Sequence, residues 1–417
     1  MDRRLGRMVG VALVTALIGF QLLVHREEGS WQAKGAPRDT VTVDGHLLEW
    51  EWTHVGETIQ LFDAVGESPP RISSQNLYRM LGAYVMSLLR KPLGSIYAVA
   101  VGSTVIFWVI AAVSLYGLAP LAAGSTEVGI AAAVLVATAP GFVGYLGNVD
   151  PHPAGYAAAA AWLFVVERWK LLSGGPVNSV RPPWWSGPTL AGLLLCAASW
   201  SIEIGYPLLL AAWGGYSLIA LGSRTSLAAT TARLGLMTAV FAAGYYGLRA
   251  LAEHVLFEEV IAMNEPHAHL IGSLGRIGET GLVKWLADQW PEQPERWLAA
   301  FPPVVTLYAG VGWFAVDTRW RLWAGSVIGS FVVAVLLTKP ATRTFYLAYP
   351  AVYVLAACGM GYLGRVIASH RAISGHEDAR RIVRWGVMGA LALAVLMTTN
   401  ADLWGDYRIP IRWYGSQ

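Results

Sequence analysis

The chain has 417 residues, of which 55% are hydrophobic and only 14% charged, where soluble domains carry about a quarter charged residues. That deficit excludes a water-soluble globular protein, and a formal net charge of +3 with no basic tract interleaved with aromatics gives nucleic acid nothing to bind. The apolar runs are continuous rather than alternating, which excludes an outer-membrane barrel and leaves helices that satisfy their own backbone hydrogen bonds in lipid.

In chain order, Arg3, Arg4 and Arg7 precede an apolar run over residues 9–24. The charged stretch His25-Arg26-Glu27-Glu28 follows where a small-residue cleavage site would stand, so the segment reads as an uncleaved signal anchor with a cytoplasmic N-terminus. Further spans are predicted over residues 94–118, 128–146, 153–166, 189–203, 206–221, 229–251, 301–315, 322–337, 345–363 and 383–397, about eleven with the first. The alternation of sides puts Arg168, Lys170, Arg181, Arg224, Arg319, Arg321, Arg365, Arg371, Arg380 and Arg381 on the cytoplasmic side, as the positive-inside rule asks. Two long connections, residues 25–93 and 252–300, then fall on the outer side. The expectation is one all-α integral membrane domain over residues 1–417. It is a polytopic transmembrane bundle of about eleven helices with a juxtamembrane helical first outer loop. Cys196 and Cys358 lie inside apolar runs and read as small buried hydrophobes.

The first outer loop holds the densest polar chemistry, from Asp44 through Glu49, Glu51, His54 and Glu57 to Thr58. Trp52, Val55, Ile59 and Phe62 recur at helical spacing, the mark of a helix on the membrane surface. Glu51, His54 and Thr58 share one arc beside that stripe, so a carboxylate and an imidazole sit on one face. Such a pair suits general-base work on an acceptor hydroxyl, the imidazole tuning the carboxylate or helping to hold a metal; a merely solvated helix face is the plainer alternative. Asp44 and Glu49 compete with Glu51 for the base role.

Asp150 and His152 bracket Pro151 in a second outer turn, where turn chemistry and a proline helix start compete with function. Lys339 and Arg343 lie between two late spans, again outside, where positive charge runs against the topological bias. Cations there suit a lipid-linked phosphate, Arg343 through bidentate hydrogen bonds, or else phospholipid headgroups. Arg71, after Pro69-Pro70, is a weaker phosphate candidate. Glu203 sits between two short apolar stretches and reads as a helix break, and His267 with His269 is a weak metal signal without a third ligand.

In layout the chain resembles the GT-C class of glycosyltransferases, multi-pass enzymes that use polyprenyl-phosphate sugars. The likeness rests on the acidic stretch from Asp44 to Glu57 followed by Pro69-Pro70 and a helix over residues 76–89, on the outer turn with Asp150, and on the late stretch Arg343-Thr344-Phe345-Tyr346 running to Tyr349-Pro350. Relatives carry adjacent acids near the first span, whereas Trp50 separates Glu49 from Glu51 here. The resemblance implies an extracytoplasmic, inverting transfer from a polyprenyl-phosphate-linked sugar donor to an acceptor, in a multi-pass plasma (inner) membrane protein. Glu51 is then the first choice of base, Glu49 the next, Asp150 a partner, and Arg343 and Lys339 neutralise the leaving phosphate. A divalent metal ion is compatible with this chemistry, and no nucleotide cofactor is implied. A secondary transporter and a non-catalytic membrane subunit are the competing readings; the first predicts charged residues deep in paired spans, where Glu203 alone qualifies.

Overall fold

The computed structural model describes residues 3–25, 41–43, 46–48, 71–72, 92, 96–143, 151–172, 185–201, 205–222, 226–251, 259–260, 268–289, 291, 293–337, 348–369 and 377–399. Each predicted span contains a helix. In chain order these are α1 (Arg3–His25), α2 (Ile96–Ala123), α3 (Thr126–Ala137), α4 (Pro140–Val143), α5 (Pro151–Arg168), α6 (Ser186–Ser201), α7 (Gly205–Leu221) and α8 (Leu227–Leu251). Three short helices follow, α9 (Ala268–Thr280), α10 (Leu282–Gln289) and α11 (Gln293–Ala300), and then α12 (Pro303–Ala315), α13 (Thr318–Leu337), α14 (Tyr349–Ala368) and α15 (Glu377–Thr399). Four of them, α2, α8, α14 and α15, hold windows long and apolar enough to cross a membrane by themselves, and α1, α3, α6, α7 and α12 are shorter apolar helices.

Local chemistry explains the boundaries. Gly124 ends α2 in the left-handed region at φ 67°, its N–H donating to Pro120 O at 2.8 Å, a conformation that glycine takes without cost. The run expected to continue over residues 128–146 breaks instead at Thr138-Ala139 ahead of Pro140, because proline brings no N–H and crowds the preceding turn. Asp317 starts α13 by accepting the Trp320 backbone N–H on its Oδ1 at 3.0 Å.

The core lies on α3 and α14. Every residue of α3 from Val128 to Ala137 is buried, as is α14 from Tyr349 to Gly361. Of the membrane-long windows, that of α14 is 72% buried and that of α15 only 11%, which makes α14 the axis and α15 a peripheral helix. Helix α14 packs on α2, α3, α12 and α15, while α6, α7, α8 and α13 form a flanking group that α5 joins to the centre. At the α12–α14 crossing Gly312 faces the Leu355 carbonyl and Gly359 the Tyr308 carbonyl so closely that a Cβ on either glycine would strike backbone. Small residues at such a crossing supply the shape fit that replaces the hydrophobic effect in lipid. Large apolar side chains such as Ile106 and Val113 of α2 and Phe314 of α12 point outward, the surface that a bilayer covers. This is an all-α membrane protein.

Two small ladders are the β structure among the described residues. β1 (Val41–Val43) pairs antiparallel with β2 (His46–Leu48) inside the first long connection. β3 (Arg71–Ile72) pairs in parallel with β4 (Glu259–Val260), placing Arg71 opposite Glu259. The second pairing ties the connection after α1 to the one after α8, so both long connections lie at the same end of the bundle. Within 252–300 the sequence reading gave a loop, and the structure gives α9, α10 and α11; the apolar spacing of Leu270, Ile271, Leu274 and Ile277 is the helical signal in that stretch.

Candidate active site

The end of the bundle that carries the long connections is organised by buried aromatic rings. Phe142 of α4 stacks on Trp108 of α2, with centroids 5.9 Å apart and planes within 5°. It meets Tyr156 of α5 edge-on at 5.8 Å and Tyr349 of α14 edge-on at 6.0 Å. Tyr349 continues to Tyr353 at 5.7 Å, and Tyr353 to Phe301 at 6.0 Å. All of these rings are fully buried, and edge-to-face pairs at such separations add about 0.5–1.5 kcal/mol each beyond area burial.

Two polar bonds fix the cluster. Trp108 Nε1–H donates to Val136 O at 2.6 Å, and Tyr349 Oη donates to the Tyr156 carbonyl at 2.8 Å. Buried Trp and Tyr need such partners, and here the partners are backbone atoms of neighbouring helices. The second bond joins positions 193 residues apart.

That bond has a direct consequence for the sequence candidates. Asp150 stands six residues before Tyr156, and Arg343 six residues before Tyr349. The starts of α5 and α14, which these candidates precede in sequence, are therefore neighbours. Phe142 adds the near end of the turn with Asp150, and Trp108 adds α2, the helix that the first long connection enters. The β3–β4 ladder joins Arg71 of the first long connection to Glu259 of the second.

Of the individual candidates, Asp44, Glu49, Glu51, His54, Asp150, Lys339 and Arg343 lie outside the described residues, as do Glu203 and His267. Arg71 is placed on β3, and His152 in the first turn of α5. The expected surface helix through Trp52 and Phe62 also lies outside the described residues. Among the described residues no group of three His, Cys, Asp or Glu side chains stands together as a metal site. Cys196 and Cys358 are both buried, as their apolar settings predict.

At the opposite end the structure reveals a cluster that the sequence reading passed over. Glu167, in the last turn of α5, accepts from Tyr216 Oη at 2.5 Å and pairs with Arg319 at 2.5 Å. The carboxylate is 1% exposed and the arginine 35%, so the charge with no access to water is the acid. Arg319 also lies over the Trp320 ring, 5.1 Å from its centroid, a cation–π contact. The sequence reading gave Arg319 only a topological role. The usable signal was Glu167 itself, a carboxylate closing the apolar run Trp162-Leu163-Phe164-Val165-Val166. Glu167 lies eleven residues along α5 from Tyr156, roughly 16 Å down the helix axis, so it belongs to the far end and not to the candidate site.

No family model matches the chain, and no curated protein sequence does. Solved structures do. The apo form of the oligosaccharyltransferase from Archaeoglobus fulgidus superposes with a TM-score of 0.54 at 13% identity, over 94% of this chain and 56% of that one. The archaeal oligosaccharyltransferase AglB of the same organism, in complex with an inhibitory peptide and a dolichol-phosphate, superposes with a TM-score of 0.53 at 12% identity, over 95% of this chain and 56% of that one. The chain has the GT-C fold. It spans little more than half the length of these two structures, and nearly all of it is used in the match. The helix order that the sequence shares with GT-C enzymes is thus present in three dimensions over nearly the whole chain.

Proposed function

We propose that the chain is a membrane glycosyltransferase that moves a sugar from a polyprenyl-phosphate donor to an acceptor on the extracytoplasmic face, with inversion at the anomeric carbon. The bond from Tyr349 to Tyr156 supports this reading, because it makes neighbours of the helix starts that Asp150 and Arg343 precede in sequence. The proposal brings these two stretches and the one with Glu49 and Glu51 to one rim, which is what a reaction joining a carboxylate base to a phosphate leaving group needs. The archaeal neighbour solved with a dolichol-phosphate supports a lipid-linked phosphate as the donor class.

Glu51 takes the proton of the acceptor, with Glu49 and Asp44 next in order, His54 beside it on the same helix face and Asp150 as its partner across the rim. The acceptor atom forms a bond to the anomeric carbon from one face while the carbon–oxygen bond to phosphate breaks on the other, its electron pair leaving on the phosphate. Arg343 and Lys339 neutralise that charge, worth most where it develops in the transition state; Arg71 and His152 flank the same rim. Positive charge outside, against the usual bias, has this purpose.

The test is sugar transfer in proteoliposomes with a radiolabelled polyprenyl-phosphate sugar. Glu51→Gln is expected to cut turnover by about 10²–10⁴, the span that general-base catalysis contributes, while donor binding and helix content stay as in the parent. Near-full turnover in that variant moves the base to Glu49 or Asp44, and full turnover in all three variants overturns the proposal.

A further inference from the structure

The end of the bundle away from the aromatic cluster carries a feature that sugar transfer does not use. A groove of about 280 Å³ opens sideways between α7, α12 and α13. Leu218, Trp313, Leu322 and Gly325 form its walls, and Thr318 and Arg321 stand at its mouth. On α13 its lining runs from Thr318 to Ser326, roughly 12 Å of helix axis, starting at the turn where α12 passes to α13. The groove therefore begins at the polar end of the spans and continues into their apolar belt.

Arg321 is held rigidly at that mouth. Its Nε donates to Val316 O at 3.1 Å and its Nη2 to Phe314 O at 3.1 Å, which satisfies carbonyls at the end of α12 that have no helical partner. These two bonds fix the guanidinium plane. Its remaining nitrogen, Nη1, makes no hydrogen bond among the described residues, and no carboxylate there pairs with it, in contrast to Arg319, two residues earlier, which Glu167 neutralises. Apolar surface flanks the groove on both sides, with Leu218 48% and Phe314 79% exposed.

A small soluble anion would gain nothing from the apolar walls, and an uncharged acyl chain would leave the fixed cation unused. Only an amphiphile with an anionic head uses both. We infer that this groove binds one acyl chain of an anionic phospholipid whose phosphodiester rests on Arg321. The lipid fills the space between α7 and the α12–α13 hairpin, and its head covers the Arg321 donors.

The full chain, reconstituted in bilayers of equal phosphatidylglycerol and phosphatidylethanolamine and then extracted, is read by native mass spectrometry for the lipids it retains. The parent protein is expected to retain phosphatidylglycerol in preference, and Arg321→Gln to lower that preference about fivefold, the factor that one cation near a membrane surface carries. Leu218→Trp, which fills the groove from an exposed position on its wall, is expected to lower retention of both lipids. Arg380→Gln, removing an exposed cation on α15, is expected to leave the preference alone. An unchanged preference in Arg321→Gln overturns the inference, and so does an equal loss in Arg380→Gln, which would reduce the effect to general surface charge. If the loss of the α12 caps prevents Arg321→Gln from inserting, Leu218→Trp decides alone: unchanged retention overturns the inference.

Discussion

Arg319 of α13 closes a 2.5 Å ion pair with Glu167 of α5 across 152 positions of sequence, and Glu167 is the member sealed from water. Removing one partner of a buried pair costs about 3–5 kcal/mol when it strands the other charge, while removing both is close to neutral. Arg319→Ala strands Glu167 and is expected to lower the thermal unfolding midpoint in detergent sharply. Glu167→Gln leaves a partly exposed arginine and should cost less. The double variant should recover most of the loss; simple addition of the two losses would show that the pair is not coupled.

The crossing of α12 and α14 predicts a sharp contrast between two glycines. A methyl group on Gly359 meets the Tyr308 carbonyl and must push the helices apart, whereas Gly389 of α15 has open space around it. Gly359→Ala is therefore expected to destabilise by about 1–3 kcal/mol or more, the usual cost of overpacking. Gly389→Ala should stay within about 0.5 kcal/mol. Equal unfolding midpoints for the two variants would remove the tight crossing from the account.

Tyr349 is the hinge between fold and proposed chemistry. Tyr349→Phe keeps the ring and loses the bond to Tyr156, a stability cost of about 1 kcal/mol. Because the proposed site draws on the segments just before Tyr156 and Tyr349, donor affinity in a lipid-phosphate binding assay should weaken several-fold with little change in midpoint. A donor affinity equal to that of the parent would confine the bond to a packing role.

For Arg343, truncation to Ala should weaken donor binding by about 10-fold or more, the scale of a lost charge-assisted hydrogen bond to phosphate. Unchanged binding would return Arg343 to headgroup anchoring.

Gln21 of α1 is fully buried, and its side-chain amide finds no hydrogen-bond partner among the described residues. An unpaired buried amide costs about 1–3 kcal/mol. Gln21→Leu keeps similar volume and is expected to raise the unfolding midpoint. A lower midpoint would mean that the amide is partnered in the membrane.

The sequence by itself determined the helices, since a run of apolar residues long enough to cross lipid has no other way to satisfy its backbone. Every predicted span contains a helix, Cys196 and Cys358 are buried, and the helix order matches the GT-C layout. It missed the break at Pro140, hidden in a run that stays apolar on both sides, and it missed Glu167, whose meaning depends on a partner 152 residues away. Neither periodicity nor composition carries information about such pairings. The tertiary structure decided which helix is central, which glycines meet backbone, that the two long connections pair through β3 and β4, and that Tyr349 reaches Tyr156. The reason is physical: span formation is a local balance of hydrogen bonds and lipid, whereas the choice of neighbour depends on shape complementarity between surfaces that are all equally apolar.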